Sequence, residues 1–160
     1  IESGDDDVLS RVQKGETYQS TLDGLLKAKA AGIKLSVMIL NGLGGRERTK
    51  QHALNSALLV NEINPEYLST LVLSFPYGVD HFKQRHSGPF SELNKLELIE
   101  EMGEFLGKTQ LENTVFRSDH ASNYLILKGG LSRDKNKFIE QINFALKNPK
   151  ILREEWMRGL

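Results

Sequence analysis

The chain of 160 residues contains no cysteine, only four prolines and no surplus of charge, with Lys plus Arg equal to Asp plus Glu at 21 each. Without cysteine there is no disulfide framework and no thiolate metal site within this stretch. Balanced charge leaves no global field to recruit nucleic acid or an anionic membrane. No apolar run approaches the roughly 20 residues that span a bilayer, and no signal peptide opens the chain. What is present is ordinary for a folded cytoplasmic protein: 39% apolar and 26% charged residues, in a length that suits one domain with a real core. The first residues, Ile-Glu-Ser-Gly and then three Asp, lack an initiator Met and read like the last step of a strand. The expectation is a piece of a longer protein.

Residues 7–31 read as helix, broken near Gly15, with Tyr18, Leu22, Leu25 and Leu26 at helical spacing and Gly32 as a stop. Lys34 to Leu40 reads as a strand whose continuous apolar run suits parallel pairing with cover on both faces. Gly42, Gly44 and Gly45 break it, and an amphipathic helix follows from Arg46 to Ile63, ended by Asn64-Pro65. Tyr67 to Phe75 is a second strand. Ser91 is placed to cap a helix striped with Leu93, Leu96, Ile99, Met102, Phe105 and Leu106. Thr114 to Arg117 is a short extended piece before a polar loop, and Gly129-Gly130 reads as a reversal of the chain. Phe138, Ile139, Ile142 and Leu146 mark a further helix, and Ile151 to Met157 a short terminal one. Helices alternating with strands over short connections predict an α/β fold with a parallel sheet. Two or three strands cannot close a barrel, so the sheet is expected to be a sector of a larger one.

In such folds ligands bind at the carboxyl ends of the strands. Three segments fall there: Glu2-Ser3-Gly4, Asn41 to Gly45, and Ser74 to Gly78. The glycine segment alone is no dinucleotide fingerprint, since Glu47 stands where the third glycine belongs, and it equally suits a tight strand-to-helix turn. Asp5-Asp6-Asp7 suits the start of a helix better than a metal site. Asp80-His81 with His86 reads as a solvated loop.

These residues also carry a family resemblance. Glu2-Ser3-Gly4-Asp5-Asp6, then Val8-Leu9, then Lys14-Gly15, resembles the stretch after the fourth barrel strand of radical S-adenosylmethionine enzymes. Leu40 to Gly45 resembles that family's I-x-G-L-P-G motif, with Gly44 for the usual proline and Arg46 for the usual Glu. Ser74 to Gly78 resembles the end of its sixth strand, with Val79 departing from the common Gly-Thr. Phe116 to Tyr124 resembles the C-terminal signature of a subgroup labelled iron–sulfur oxidoreductase.

The resemblance implies a partial TIM-like (β/α) barrel, with residues 1–90 as the C-terminal part of the barrel and 91–160 as a family-specific extension with C-terminal helices. It implies a [4Fe–4S] cluster on a C-x3-C-x2-C motif outside this chain, and S-adenosylmethionine cleaved there to a 5′-deoxyadenosyl radical that abstracts hydrogen from substrate. This piece is expected to bind neither cofactor on its own and to be inactive alone. By the same resemblance Glu2 and Ser3 approach the ribose and amino acid portion of the cofactor, and Lys14 meets its carboxylate. Leu40, Asn41 and Gly42 lie against the adenine, and the backbone at Ser74 and Phe75 reads its polar edge. In the polar loop, His120 is the candidate proton carrier, Arg117 the clamp for a substrate carboxylate or phosphate, and Asn123 a further substrate group, with Phe116 and Tyr124 pinning the loop. The substrate is an unidentified small molecule, with no membrane or nucleic-acid partner, and the cut sheet is expected to self-associate. Two other functions compete: a stand-alone nucleotide-binding or regulatory α/β module, and an interaction domain docking through Trp156 and Met157.

Overall fold

The computed structural model describes residues 1–158. Its four-stranded open sheet has the order β1 (Ser36–Asn41), β2 (Tyr67–Val72), β3 (Val115–Arg117), β4 (Lys128–Gly130). β1, β2 and β3 are mutually parallel, and β4 returns antiparallel to β3. The stretch read as a simple reversal at Gly129-Gly130 is therefore a strand edge, with Val115 opposite Gly130 and Phe116 opposite Gly129. Six α-helices accompany the strands among the described residues: α1 (Asp6–Arg11), α2 (Tyr18–Ala30), α3 (Gly45–Ile63), α4 (Val79–Lys83), α5 (Lys95–Lys108) and α6 (Leu131–Lys147). The tail forms two 3₁₀ turns, Pro149–Ile151 and Glu155–Met157, in place of the short helix expected there.

The break expected near Gly15 is real. Asp5 caps α1 through Val8 N, and α2 begins afresh at a Thr17–Ser20 capping box. The cap of α5, however, is Asn94 and not Ser91. Asn94 accepts from Leu96 N and Glu97 N while Glu97 reaches back to Asn94 N. Ser91 lies outside the helix and gives its hydroxyl to Glu47, at 2.7 Å.

Burial alternates along β1, β2 and β3. Val37, Ile39, Leu68, Val72 and Phe116 face inward and meet Leu59, Ile63, Met102, Phe105, Phe138 and Ile142 of α3, α5 and α6 in one core. Ser36, Met38, Tyr67, Ser69 and Arg117 point the other way, where no helix covers them; Met38 is 38% and Tyr67 48% exposed. The cover on both faces suggested by the apolar run of β1 is thus not found among the described residues. Right-handed crossovers from β1 to β2 and from β2 to β3 carry their helices to the same side of a sheet.

The tail is anchored by Tyr124, whose hydroxyl donates to Glu155 at 2.6 Å while the Arg158 guanidinium stacks 4.0 Å from its ring centroid. Burial, and then the bond to Glu155, push the Tyr124 phenol up to about 12. An unfolded tyrosine ionises near about 10, so the raised value makes stability full below that pH and lost as pH rises through the folded value. Tyr18, half-buried and bonded to Glu62, is shifted the same way. Denaturant titrations should therefore show stability falling between about pH 10 and 12, with Tyr124→Phe flattening the fall. An unchanged slope in the variant would mean that Tyr124 is not the group responsible.

Candidate functional site

The carboxyl edge of the sheet is assembled by backbone contacts. Leu40 N donates to Glu2 O at 2.9 Å, which lays the first residues alongside β1. The chain then passes so close to α3 that a Cβ on Gly4 would stand 2.4 Å from Asn55 O, and Gly4 N donates to Ser56 Oγ. Only glycine fits there. Asp5 N–H donates to Ser3 Oγ at 3.0 Å, and Ser3 Oγ lies 2.8 Å from His52 Nδ1. His52 Nε2 is 3.1 Å from Leu40 O, a carbonyl that only accepts, so Nε2 carries hydrogen. In the neutral ring Nδ1 then accepts from the Ser3 hydroxyl.

The glycine turn after β1 is held from the opposite helix. Gly42 has φ +86° and its N–H donates to Glu101 Oε1 at 2.6 Å, while Thr49 gives its hydroxyl to Glu101 Oε2 at 2.6 Å. Glu101 Oε1 also lies 3.9 Å from His52 Nε2. Both ionisable side chains are enclosed, His52 at 1% and Glu101 at 3% exposure. Together they tie Glu2-Ser3-Gly4 and Leu40 to Gly42 to the α3–α5 pair. Sequence reasoning missed both residues. The signal was available, since Glu101 interrupts the apolar stripe of Leu98, Met102 and Phe105, and His52 that of Ala53, Leu59 and Val60.

Lys14 reaches the same edge because Gln13, at φ +56°, turns the chain back after α1. Its Nζ pairs with Glu2 at 2.8 Å, and that bond raises the ammonium above the usual lysine range. About a third of each side chain stays in water, so the pair is worth at most about 1 kcal/mol. Asn41 is buried, and its carbonyl accepts from Leu73 N. Ser74 and Phe75 line a cavity of about 460 Å³ with Leu93, Tyr124 and Arg158. Glu2, Ser3, Lys14, Leu40, Asn41, Gly42, Ser74 and Phe75 thus all belong to the carboxyl side of β1 and β2. The acidic run beside them is occupied with structure: Asp5 caps α1 and binds Asn55, and Asp7 pairs with Arg11 and Arg48.

The polar loop divides. β3 ends at Arg117, opposite Ser69, halfway along β2. Beyond that point side chains complete the edge of β2: Ser122 Oγ accepts from Val72 N at 3.0 Å, and Asn123 Nδ2 donates to Thr70 O at 2.7 Å. Asn123 is only 2% exposed, so its amide serves the strand. His120, by contrast, is exposed; its Nδ1 accepts from Ser122 N at 3.2 Å and lies 2.9 Å from Ser122 Oγ. His120 and Arg117 line a groove of about 490 Å³ on the bare face with Tyr67 and Ser69. Asp119, held below the usual carboxylate range mainly by Lys128, bridges Lys128 at 2.9 Å and Arg117 at 3.5 Å. Phe116 and Tyr124 flank the loop and are buried.

The Glu101 carboxylate is the joint of this edge. Glu101→Ala leaves the Gly42 amide and the Thr49 hydroxyl without their acceptor and should cost about 3 kcal/mol, read by urea denaturation. A loss below about 1 kcal/mol, the net worth of one ordinary hydrogen bond, would show that the joint is dispensable. No family model, curated protein or solved structure matches this chain, so what the edge binds is argued from its own groups.

Proposed function

We propose that this chain is the part of a radical S-adenosylmethionine oxidoreductase that offers groups to the cofactor and the substrate, and that it is inactive alone. The observation that carries the reading is the layering: a mostly parallel sheet clad by helices on one face, bare on the other, with the three motif segments on its carboxyl edge. A sector of a barrel needs that arrangement, because its outer face bears the helices and its inner face looks into the lumen.

The groups at the edge suit a zwitterionic sulfonium cofactor. Lys14 offers an ammonium to a carboxylate, Glu2 a carboxylate to hydroxyls or an amine, and the strand ends offer backbone donors and acceptors to a base. When bound, S-adenosylmethionine supplies a carbon radical that abstracts hydrogen from substrate. The cluster that drives it needs thiolates, and this chain has none to give. The chain's own part is to hold and orient. His52 and Glu101 keep the two loops rigid, Lys14 exchanges Glu2 for the cofactor carboxylate, and His120 with Arg117 faces the substrate side from the bare groove. A cytoplasmic location belongs to the same proposal.

In the full-length protein Lys14→Ala should weaken S-adenosylmethionine binding about ten- to a hundredfold, the cost of one charge-assisted hydrogen bond, with the cluster spectrum intact. Calorimetry giving an unchanged affinity would return Lys14 to a plain surface pair with Glu2. The gene should also encode a C-x3-C-x2-C motif, and its absence would favour the stand-alone binding module.

A further inference from the structure

Of Asp80, His81 and His86, which read as a solvated loop, Asp80 is exposed, whereas His81 and His86 help to line a cavity. α4 and the turn before it enclose about 290 Å³, lined by Phe75, Tyr77, His81, Phe82, Arg85 and His86. The walls are mostly rings. Phe75 and Phe82 meet edge-on at 5.3 Å, Phe82 and His86 lie 5.6 Å apart, and Tyr77 and His81 5.2 Å. Phe90 backs them, 4.8 Å from Phe82 and 5.1 Å from His86. His86 Nδ1–H donates to Gly88 O, which fixes that ring, and Gly78 at φ +85° swings Tyr77 to the rim, where it is 80% exposed.

Size and charge narrow the occupant. An apolar cavity of about 150 Å³ holds benzene, so this one admits a fused two-ring system and little more. Ring walls at these separations accept another ring in stacked or edge-on contact. No carboxylate is among the lining residues, while Arg85 is, spending one Nη1–H on His81 O. Arg11, next to Val12 of the wall, is paired with Asp7 and turns its Nη1 toward Gly88. The one guanidinium of the lining, that of Arg85, favours an anion on the ring's edge.

We propose that this cavity binds a planar aromatic carboxylate of one or two rings, with the ring among Phe75, Tyr77 and Phe82 and the carboxylate at Arg85. The site shares Ser74 and Phe75 with the proposed cofactor edge and is otherwise separate from it. No residue of Glu2 to Gly4, Lys14 or Leu40 to Gly42 lines it, and its probes are added to this chain without cofactor.

Saturation-transfer NMR and titration with indole carboxylate, neutral indole and adenosine test it. Indole carboxylate should bind saturably and at least tenfold more tightly than indole. Arg85→Met should erase that difference while leaving indole binding in place, and Phe82→Ala should weaken both. Arg85 is exposed, so its variant decides the matter even if Phe82→Ala fails to fold. Three results would overturn the proposal: no saturable binding of either indole, a carboxylate preference that survives Arg85→Met, or adenosine binding more tightly than indole carboxylate.

Discussion

The carboxylate of Glu101, sealed between α3 and α5, is the constraint on which the carboxyl edge depends. A carboxyl group at 3% exposure gives up its hydration, and that loss stands unless the fold returns hydrogen bonds of good geometry. The fold returns two at 2.6 Å, from Gly42 N and Thr49 Oγ1. The neighbouring His52 extends the hold to Ser3 and Leu40. The segments Glu2–Gly4 and Leu40–Gly42 are thereby fixed by a pair of helices and not by their own short sequences. Preorganisation of that kind, with the groups held by packed elements, is what a binding edge requires.

The same sheet shows how a short third strand suffices. β3 covers only the first half of β2, and the remaining backbone groups would face the bare side unpaired. Ser122 and Asn123 supply an acceptor and a donor in place of main chain. His120, two residues earlier, is carried by that anchoring to the mouth of the groove that Arg117 also lines. Two residues of one polar loop therefore have different surroundings: the amide of Asn123 serves the strand beneath it, while His120 stays exposed at the groove.

Much of this was legible in the sequence, and the reasons differ by element. α3 announced itself by glycines before it and Asn64-Pro65 after it, and the α1–α2 break by Gly15, because turn chemistry is local. The position of the three edge segments was legible because the ends of parallel strands fall on one side of the sheet. The cap of α5 was not, because Ser91 and Asn94 are both good caps and tertiary contact with Glu47 decides between them. The bare face of β1 was hidden as well. Met38 and Leu40 look like core in any parallel strand, and only the side taken by the crossovers shows that they are not covered here. His52 and Glu101 escaped because a polar residue within an apolar stripe has meaning only when its partner, about fifty residues away, is known.

The central claim is that the carboxyl edge receives S-adenosylmethionine in the full-length protein, and amide shift mapping on that protein, isotope-labelled over this segment, tests it most directly. On titration with S-adenosylmethionine, the expected result is a saturable set of shifts confined to Glu2–Gly4, Lys14, Leu40–Gly42 and Ser74–Phe75, with α6 and the outer helix surface silent. Shifts that are absent at millimolar ligand, or scattered over the helical face, would contradict it.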